Sequence, residues 1–319
     1  MRVLKFGGKS LSSVEKSQKI AKYIKKIYKN DKNLIIVVSA IGKTTDNLLS
    51  LSKEYGGENP PDYEVAKLLS TGETQSASLF SILLNKVGVP AKSLSAYDLN
   101  ISSFGSYTNS RIAYINKQKI LDCFKHNQVA VVAGFQGLNK NNEITLLGRG
   151  GSDTTAAAIA AIFDSPVEIY SDYNGIFCGD PQFLNYKKLK KANYDLMIKM
   201  AESGARVLDS KAIQIAKDFN INIISKSSTE PNKKGSLISA IESNFISVQT
   251  IDNLTQITIV FADDNKLKFI VNSVLFCKNN IKIYNLTTNN NKLTFLIESK
   301  FKTIFLSQFS KKLNLLKNK

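Results

Sequence analysis

The sequence predicts an α/β fold: a three-layer, mostly parallel sheet with helices on both faces over residues 1–240, then a small α+β module over 246–319. Three observations lead there. Short β-branched apolar runs recur at VLKF (3–6), LIIVVSA (34–40), VAVVAGF (129–135), VEIYS (167–171) and INIIS (221–225). They are continuous rather than alternating, as in strands buried on both faces of a parallel sheet. Helical patterns fill the gaps, at 12–29, 62–86, 114–126, 154–164 and 208–219, and such alternation marks βαβ units. After about 240 the texture changes: ITIVFA (257–262), a helix-like LKFIVNSVLFCKNN (267–280), IKIYNLTT (281–288), KLTFLIES (292–299) and a helix over 303–316. That β-α-β-β-α order reads as an α+β module one strand short of completion, with NNN (289–291) as a turn. At roughly 100–200 residues per domain, 319 residues also predict two domains.

Composition narrows the function. The formal charge is +17, but only Arg2, Arg111, Arg149 and Arg206 among the 43 basic residues are arginine. Arginine is the residue of bidentate phosphate and base-edge contacts, so a lysine-dominated excess predicts a solvated surface rather than a nucleic-acid partner. No apolar run reaches the ~18 residues of a membrane span. The N-terminus has no apolar stretch after a basic start. Cys123, Cys178 and Cys277 are widely spaced, without metal-ligand spacing. They read as reduced thiols of a cytoplasmic protein with no membrane partner.

Three stretches carry chemistry. The first is VLKFGGKSL (3–11), whose Gly8-Lys9-Ser10 imitates the end of a Walker A loop. That loop needs a glycine five residues before Gly8; Val3 stands there, inside the strand. What remains is a strand, two glycines and a helix starting near Ser12, an arrangement that offers backbone N–H groups to an anion. The second is LGRGGSDTTAAA (147–158): Arg149 sits among glycines, and Ser152 or Asp153 is a candidate N-cap of an alanine-rich helix. Arginine and a helix N-terminus together favour a carboxylate or phosphate. The third is IYSDYNGIFCGDPQ (169–182), where a buried strand ends in Ser171-Asp172 and two turns follow. In an α/β sheet, ligands sit at such carboxyl ends of strands.

Taken in order, KFGGKS, VVSAIGKTTDNLL, LSTGETQSA, AGFQG, LGRGGSDTTAAAIA, EIYSDYNGIFCGDP and ESGARVLDSKAIQIAKDFNINIISKSS resemble the aspartate kinases of the amino acid kinase family, over residues 1–240. The resemblance implies transfer of the γ-phosphoryl group of ATP to the β-carboxylate of L-aspartate, the first step towards lysine/diaminopimelate, threonine and methionine. A carboxylate is already ionised at neutral pH, so no general base is needed; the single histidine, His126 in FKHNQ, reads as a helix-end residue. By resemblance, Lys5 contacts the transferred phosphoryl group, Gly7, Gly8 and Ser10 supply loop donors, Asp153 holds lysines in place, and Lys226 is a second nucleotide-side lysine. Ser39, Thr45, Glu73, Arg149 and Ser152 match aspartate-binding positions. Ser171, Asp172, Phe177, Asp180 and Pro181 match the nucleotide loop. Mg²⁺ would arrive on ATP, held mostly by phosphates and water.

The chain also departs from the family pattern. Lys9 replaces a threonine, Phe177 a tyrosine, Gln182 an arginine, and Asp209-Ser210 a His-Pro pair. Lys9 adds charge beside the phosphate loop while Gln182 removes it, so the two are expected to offset each other. By resemblance the tail is one incomplete ACT-type unit where two are usual. Its FADDNKLK lacks the glycine that admits an effector amino acid, so its expected role is assembly of a homodimer or higher homo-oligomer rather than feedback control. Rival readings are a related kinase acting on a substrate such as N-acetylglutamate, and a catalytically inactive amino-acid or nucleotide sensor.

Overall fold

The computed structural model describes residues 1–177, 188–202, 208–240, 254–260, 271, 274, 281, 283–289 and 292–312. They form two compact units, Met1–Asn174 with Lys211–Gly235, and Gly175–Ser210 with Ser236–Lys319. Among the described residues, no helix is long and apolar enough to cross a membrane.

The first unit is built on a parallel sheet. Its strands are β1 (Arg2–Phe6), β2 (Leu34–Val38), β3 (Ala91–Leu94), β6 (Val129–Ala133), β9 (Val167–Ser171) and β13 (Ile223–Ser227), in the order β13-β9-β1-β2-β6-β3. Helices α1 (Val14–Asn30) and α3 (Asp62–Lys86) cover one face. There Leu4, Phe6, Ile36, Val38, Val131 and Tyr170 pack against Ile20, Ile24, Phe80 and Leu84. Helix α5 (Gly151–Ile162) lies on the other face, against β1, β2 and β9. Sidedness follows from the pleat, since neighbouring residues of a strand point to opposite faces. With helices on both sides, nearly every residue of β1, β2 and β6 is buried, which explains the unbroken apolar runs.

Several elements escaped the sequence reading. Strand β3 is short and half polar. β4 (Ser102–Ser106), β5 (Asn109–Tyr114), β7 (Gln136–Leu138) and β8 (Ile144–Leu146) form a separate sheet in the order β5-β4-β7-β8. Serine and glycine dilute the apolar pattern there, and Phe104 and Tyr114 face solvent. α2 (Thr44–Gly56) was not read as a helix, and α4 (Gln118–Lys125) is shorter than expected and is followed by His126 at its C-cap, whose Nδ1 lies 2.8 Å from the Asp122 carbonyl oxygen.

In the second unit, β10 (Ile176–Phe177) pairs antiparallel with β11 (Lys188–Leu189). β12 (Lys191–Asn193) runs parallel to β14 (Ser236–Ser239), and α6 (Tyr194–Glu202) follows β12. β15 (Leu254–Val260), β16 (Tyr284–Asn289) and β17 (Lys292–Glu298) form an antiparallel sheet in the order β15-β17-β16. Here the alternation is clean: Leu293, Phe295 and Ile297 are buried with Ile257 and Ile259 against Phe305 and Phe309 of the closing helix Lys302–Lys312. The predicted helix over 267–280 lies almost wholly outside the described residues.

Candidate active site

All six parallel strands point the same way, so β1, β2, β6, β9 and β13 end along one edge of the sheet. Their ends are stitched together. The Ser39 N–H donates to the Phe6 carbonyl (3.2 Å), the Gly134 N–H to that of Val38 (3.0 Å), the Gly42 N–H to that of Gly8 (3.0 Å) and the Ser228 N–H to that of Ser171 (2.8 Å). The first two loops touch backbone to backbone: a Cβ at Gly8 would lie 2.2 Å from the Ala40 carbonyl oxygen. Gly8 is thus required by close approach. The expected helix start near Ser12 is corrected: Gly8–Leu11 form a 3-10 turn, and Ser13 caps α1 through Lys16. The turn consumes the Ser10 N–H, which donates to the Gly7 carbonyl (2.9 Å), and buries the Ser10 side chain. Gly7 stays beside the Lys5 ammonium, with Nζ 3.6 Å from where a Cβ would stand.

Lys5 leaves β1 towards α5 and pairs with Asp153, Nζ to Oδ1 2.6 Å, each side chain 12% exposed. Asp153 is not the N-cap. Gly150, in the left-handed region at φ 72°, takes that position. Ser152 and Asp153 therefore lie in the first turn, with Ser152 packed on Gly134, whose hypothetical Cβ would stand 2.8 Å from that of Ser152. Arg149 is exposed between Gly148 (φ 77°) and Gly150, and makes no ion pair among the described residues.

Glu73 comes from the middle of α3. Gly72 lets that helix lie against the β2–α2 loop, since a Cβ there would stand 3.0 Å from the Ala40 Cβ. The Ala40 N–H donates to Glu73 Oε1 at 3.0 Å. Glu73 is only 3% exposed, and its Oε2 is buried without a hydrogen-bond partner among the described residues. Burial pushes its carboxyl up to about 7, against the smaller opposing effect of the Ala40 N–H. Ser39 and Thr45 are half-buried on the same loop and on the first turn of α2.

Ser171 ends β9, where its hydroxyl binds the backbone of Tyr173, and Asp172 is exposed. Phe177 belongs to the second unit, and Asp180, Pro181 and the variant Gln182 lie outside the described residues.

Lys226 does not join Lys5: the two side chains leave the sheet on opposite faces. The register sets Lys5 beside Ile169 and Lys226 beside Tyr170. Those neighbours on β9 point to opposite faces, so Lys226 leaves the sheet on the α1 side. There its Nζ donates to Glu168 Oε2 at 3.2 Å. Arg2 holds the other carboxylate oxygen through Nε (2.8 Å) and Nη2 (2.5 Å), and the Tyr170 hydroxyl donates to Oε2 at 2.8 Å. Burial alone would raise the Glu168 carboxyl; Arg2, Tyr170 and Lys226 overcome it and hold Glu168 below the usual carboxylate range. Removing the shared carboxylate strands two largely buried cations, so Glu168→Ala is expected to cost about 3–5 kcal/mol in denaturant unfolding.

Sequence reasoning also missed Lys211 and Gln136. Lys211 Nζ donates to the Leu147 carbonyl (2.8 Å) and Asn109 Oδ1 (2.6 Å), bracing the loop before Arg149; nothing local in DSKAIQ marks it. Gln136 is 1% exposed, and its only signal was a polar residue within AGFQG.

A β1 lysine paired with a helix-dipole aspartate, a glycine turn and a buried carboxylate with one oxygen unpartnered among the described residues lie at one sheet edge, the make-up of an anion-handling α/β enzyme site. Residues 1–225 match the family model described as the amino acid kinase family, and the chain belongs to that family. Within it, the chain is similar to aspartokinases. It is 39% identical over 272 residues to the aspartokinase of Bacillus sp. (strain MGA3), covering 83% of this chain and 66% of that protein. It is 34% identical over 305 residues to that of Rickettsia felis, covering 93% and 73%. The chain spans about two thirds of the length of the first curated relatives it matches. Among solved structures it is similar to aspartate kinase from Synechocystis (28% identity, TM-score 0.65, 97% of this chain and 54% of that one). It shares the fold of E. coli aspartokinase III in complex with aspartate and ADP (20% identity, TM-score 0.71, 97% and 83%).

Proposed function

We propose that the chain phosphorylates the β-carboxylate of L-aspartate with ATP, giving 4-phospho-L-aspartate. The observation that carries this reading is Glu73: a buried carboxylate oxygen without a partner is costly, and the α-ammonium of an amino acid substrate satisfies it. Arg149 and the N-terminal turn of α5, with Ser152, hold the substrate's α-carboxylate. Ser39 and Thr45 complete the aspartate side. The β-carboxylate is then directed at the γ-phosphorus beside Lys5.

Phosphoryl transfer asks mainly for positioning and for positive charge near the equatorial oxygens. Lys5 supplies that charge, Asp153 fixes its direction, and the Gly7-Gly8 turn brings backbone close to the phosphates. The family resemblance assigns the nucleotide side to Ser171, Asp172, Phe177, Asp180 and Pro181. Mg²⁺ enters with ATP, bound through phosphates and water. Lys226 supports the sheet from its other face and is left out of the chemistry. Residues 246–319 serve as an ACT-like module for self-association.

The test is turnover with Mg-ATP and L-aspartate in hydroxylamine, which traps the acyl phosphate as a hydroxamate. Aspartate-dependent hydroxamate, with none from N-acetylglutamate, is expected. Nucleotide binding without a product from aspartate would refute the reading.

A further inference from the structure

The AGFQG stretch matches the family but takes no part in the reaction as described. Its glutamine is placed to act on Glu73. Gln136 opens β7, and its side chain crosses to α3. Nε2 donates to the Ser70 carbonyl (2.7 Å) and to Thr74 Oγ1 (2.9 Å), while Oε1 accepts from the Ala96 N–H (3.2 Å). Ser70 and Thr74 bracket Glu73, three residues before it and one after. One buried amide therefore ties the stretch of α3 that carries Glu73 to the strand leaving the catalytic edge.

The residue before it completes the connection. Phe135 adopts φ 72°, the left-handed region, which is strained for a bulky side chain. It is held there from two sides: its N–H donates to Thr155 Oγ1 of α5 (3.1 Å), and its carbonyl accepts from the Leu147 N–H (2.9 Å). Phe135-Gln136 thus spans from the helix bearing Ser152 and Asp153 to the helix bearing Glu73. In the reading above, these are the two sides that grip the α-carboxylate and the α-ammonium of the substrate.

We propose that Gln136 is a positioning residue that fixes Glu73 against the Ala40 N–H, and so sets the site's selectivity for substrates bearing a free α-ammonium. This rests on the reading of Glu73 given above. A residue misplaced by about 1 Å can lose on the order of a hundredfold in rate, so the orientation of a buried, singly bonded carboxylate is worth fixing.

The test compares Gln136→Leu, of similar length but with no hydrogen bonds, and the milder Thr74→Val with the unchanged chain. Two readouts are used. Without substrate, hydrogen exchange at the Ala40 amide reports its bond to Glu73. We expect it to accelerate about tenfold or more while the amides of Ile36 and Val131 keep their protection. With substrates, we expect the aspartate KM to rise about tenfold or more, the ATP KM to move less than about twofold, and the preference for aspartate over succinate, which lacks the amino group, to shrink. Unchanged Ala40 exchange in folded variants, or a parallel rise of both KM values with unchanged selectivity, would overturn the inference. If the unchanged chain fails with aspartate while Ala40 exchange responds as expected, the substrate reading fails and the positioning role stands.

Discussion

Lys5→Met is expected to reduce phosphoryl transfer by about 10²–10³-fold, the loss seen when one charge-stabilising donor is removed from a transition state. The same change leaves Asp153 without its cation in a site where each partner is only 12% exposed, so stability should also fall, by about 3 kcal/mol. The two effects separate in the double variant. Lys5→Met with Asp153→Asn removes both charges and is expected to recover most of the stability in denaturant unfolding, with activity still reduced as far. Recovery of activity along with stability would show that Lys5 matters only as a partner for Asp153.

Glu73→Gln should move stability and function in opposite directions. Glu73 titrates near 7 in the folded chain against an ordinary 4.5. A carboxyl raised in the folded state makes no difference at pH values below the unfolded value, where both states are protonated. Stability is then lost as pH rises from about 4.5 to 7, because the unfolded chain ionises first. Above 7 the full penalty applies, about 3 kcal/mol. Glu73→Gln should therefore match the unchanged chain near pH 4 and exceed it at pH 8. Meanwhile the aspartate KM should rise by about 10²-fold, as expected for loss of a hydrogen-bonded charge pair worth about 3 kcal/mol. Equal unfolding curves at pH 8 would mean that Glu73 is not held as described.

The sequence made the central sheet legible because burial on both faces writes itself as unbroken β-branched runs. It made the glycine turns at this sheet edge legible because Gly7-Gly8 and Gly148 to Gly151 mark close backbone approach and left-handed geometry. The β5-β4-β7-β8 sheet was hidden, since serine and glycine there satisfy hydroxyl and backbone contacts, such as Ser103 with Thr145 (2.6 Å), instead of an apolar period. Helix α5 begins at Gly151 rather than at a side-chain cap because a left-handed Gly150 performs the turn, which frees Asp153 for Lys5. The pairing of Lys226 with Glu168 was not legible because spacing along the chain does not show which face of a strand a side chain takes; only the register with β9 does. Gln136 and Lys211 bind backbone carbonyls far away in sequence, 66 residues for Gln136 and 64 for Lys211, and no local pattern encodes such partners.

The central claim is that the open carboxylate of Glu73 receives the ammonium of aspartate. Calorimetric titration of L-aspartate at pH 6.5, in two buffers of different ionisation enthalpy, tests it directly. Glu73 is mostly protonated there in the free chain, and an ammonium beside it favours the ionised form, so binding should release roughly three quarters of a proton, and none in Glu73→Gln. Aspartate binding with no proton release, or with the same release in Glu73→Gln, would contradict the account.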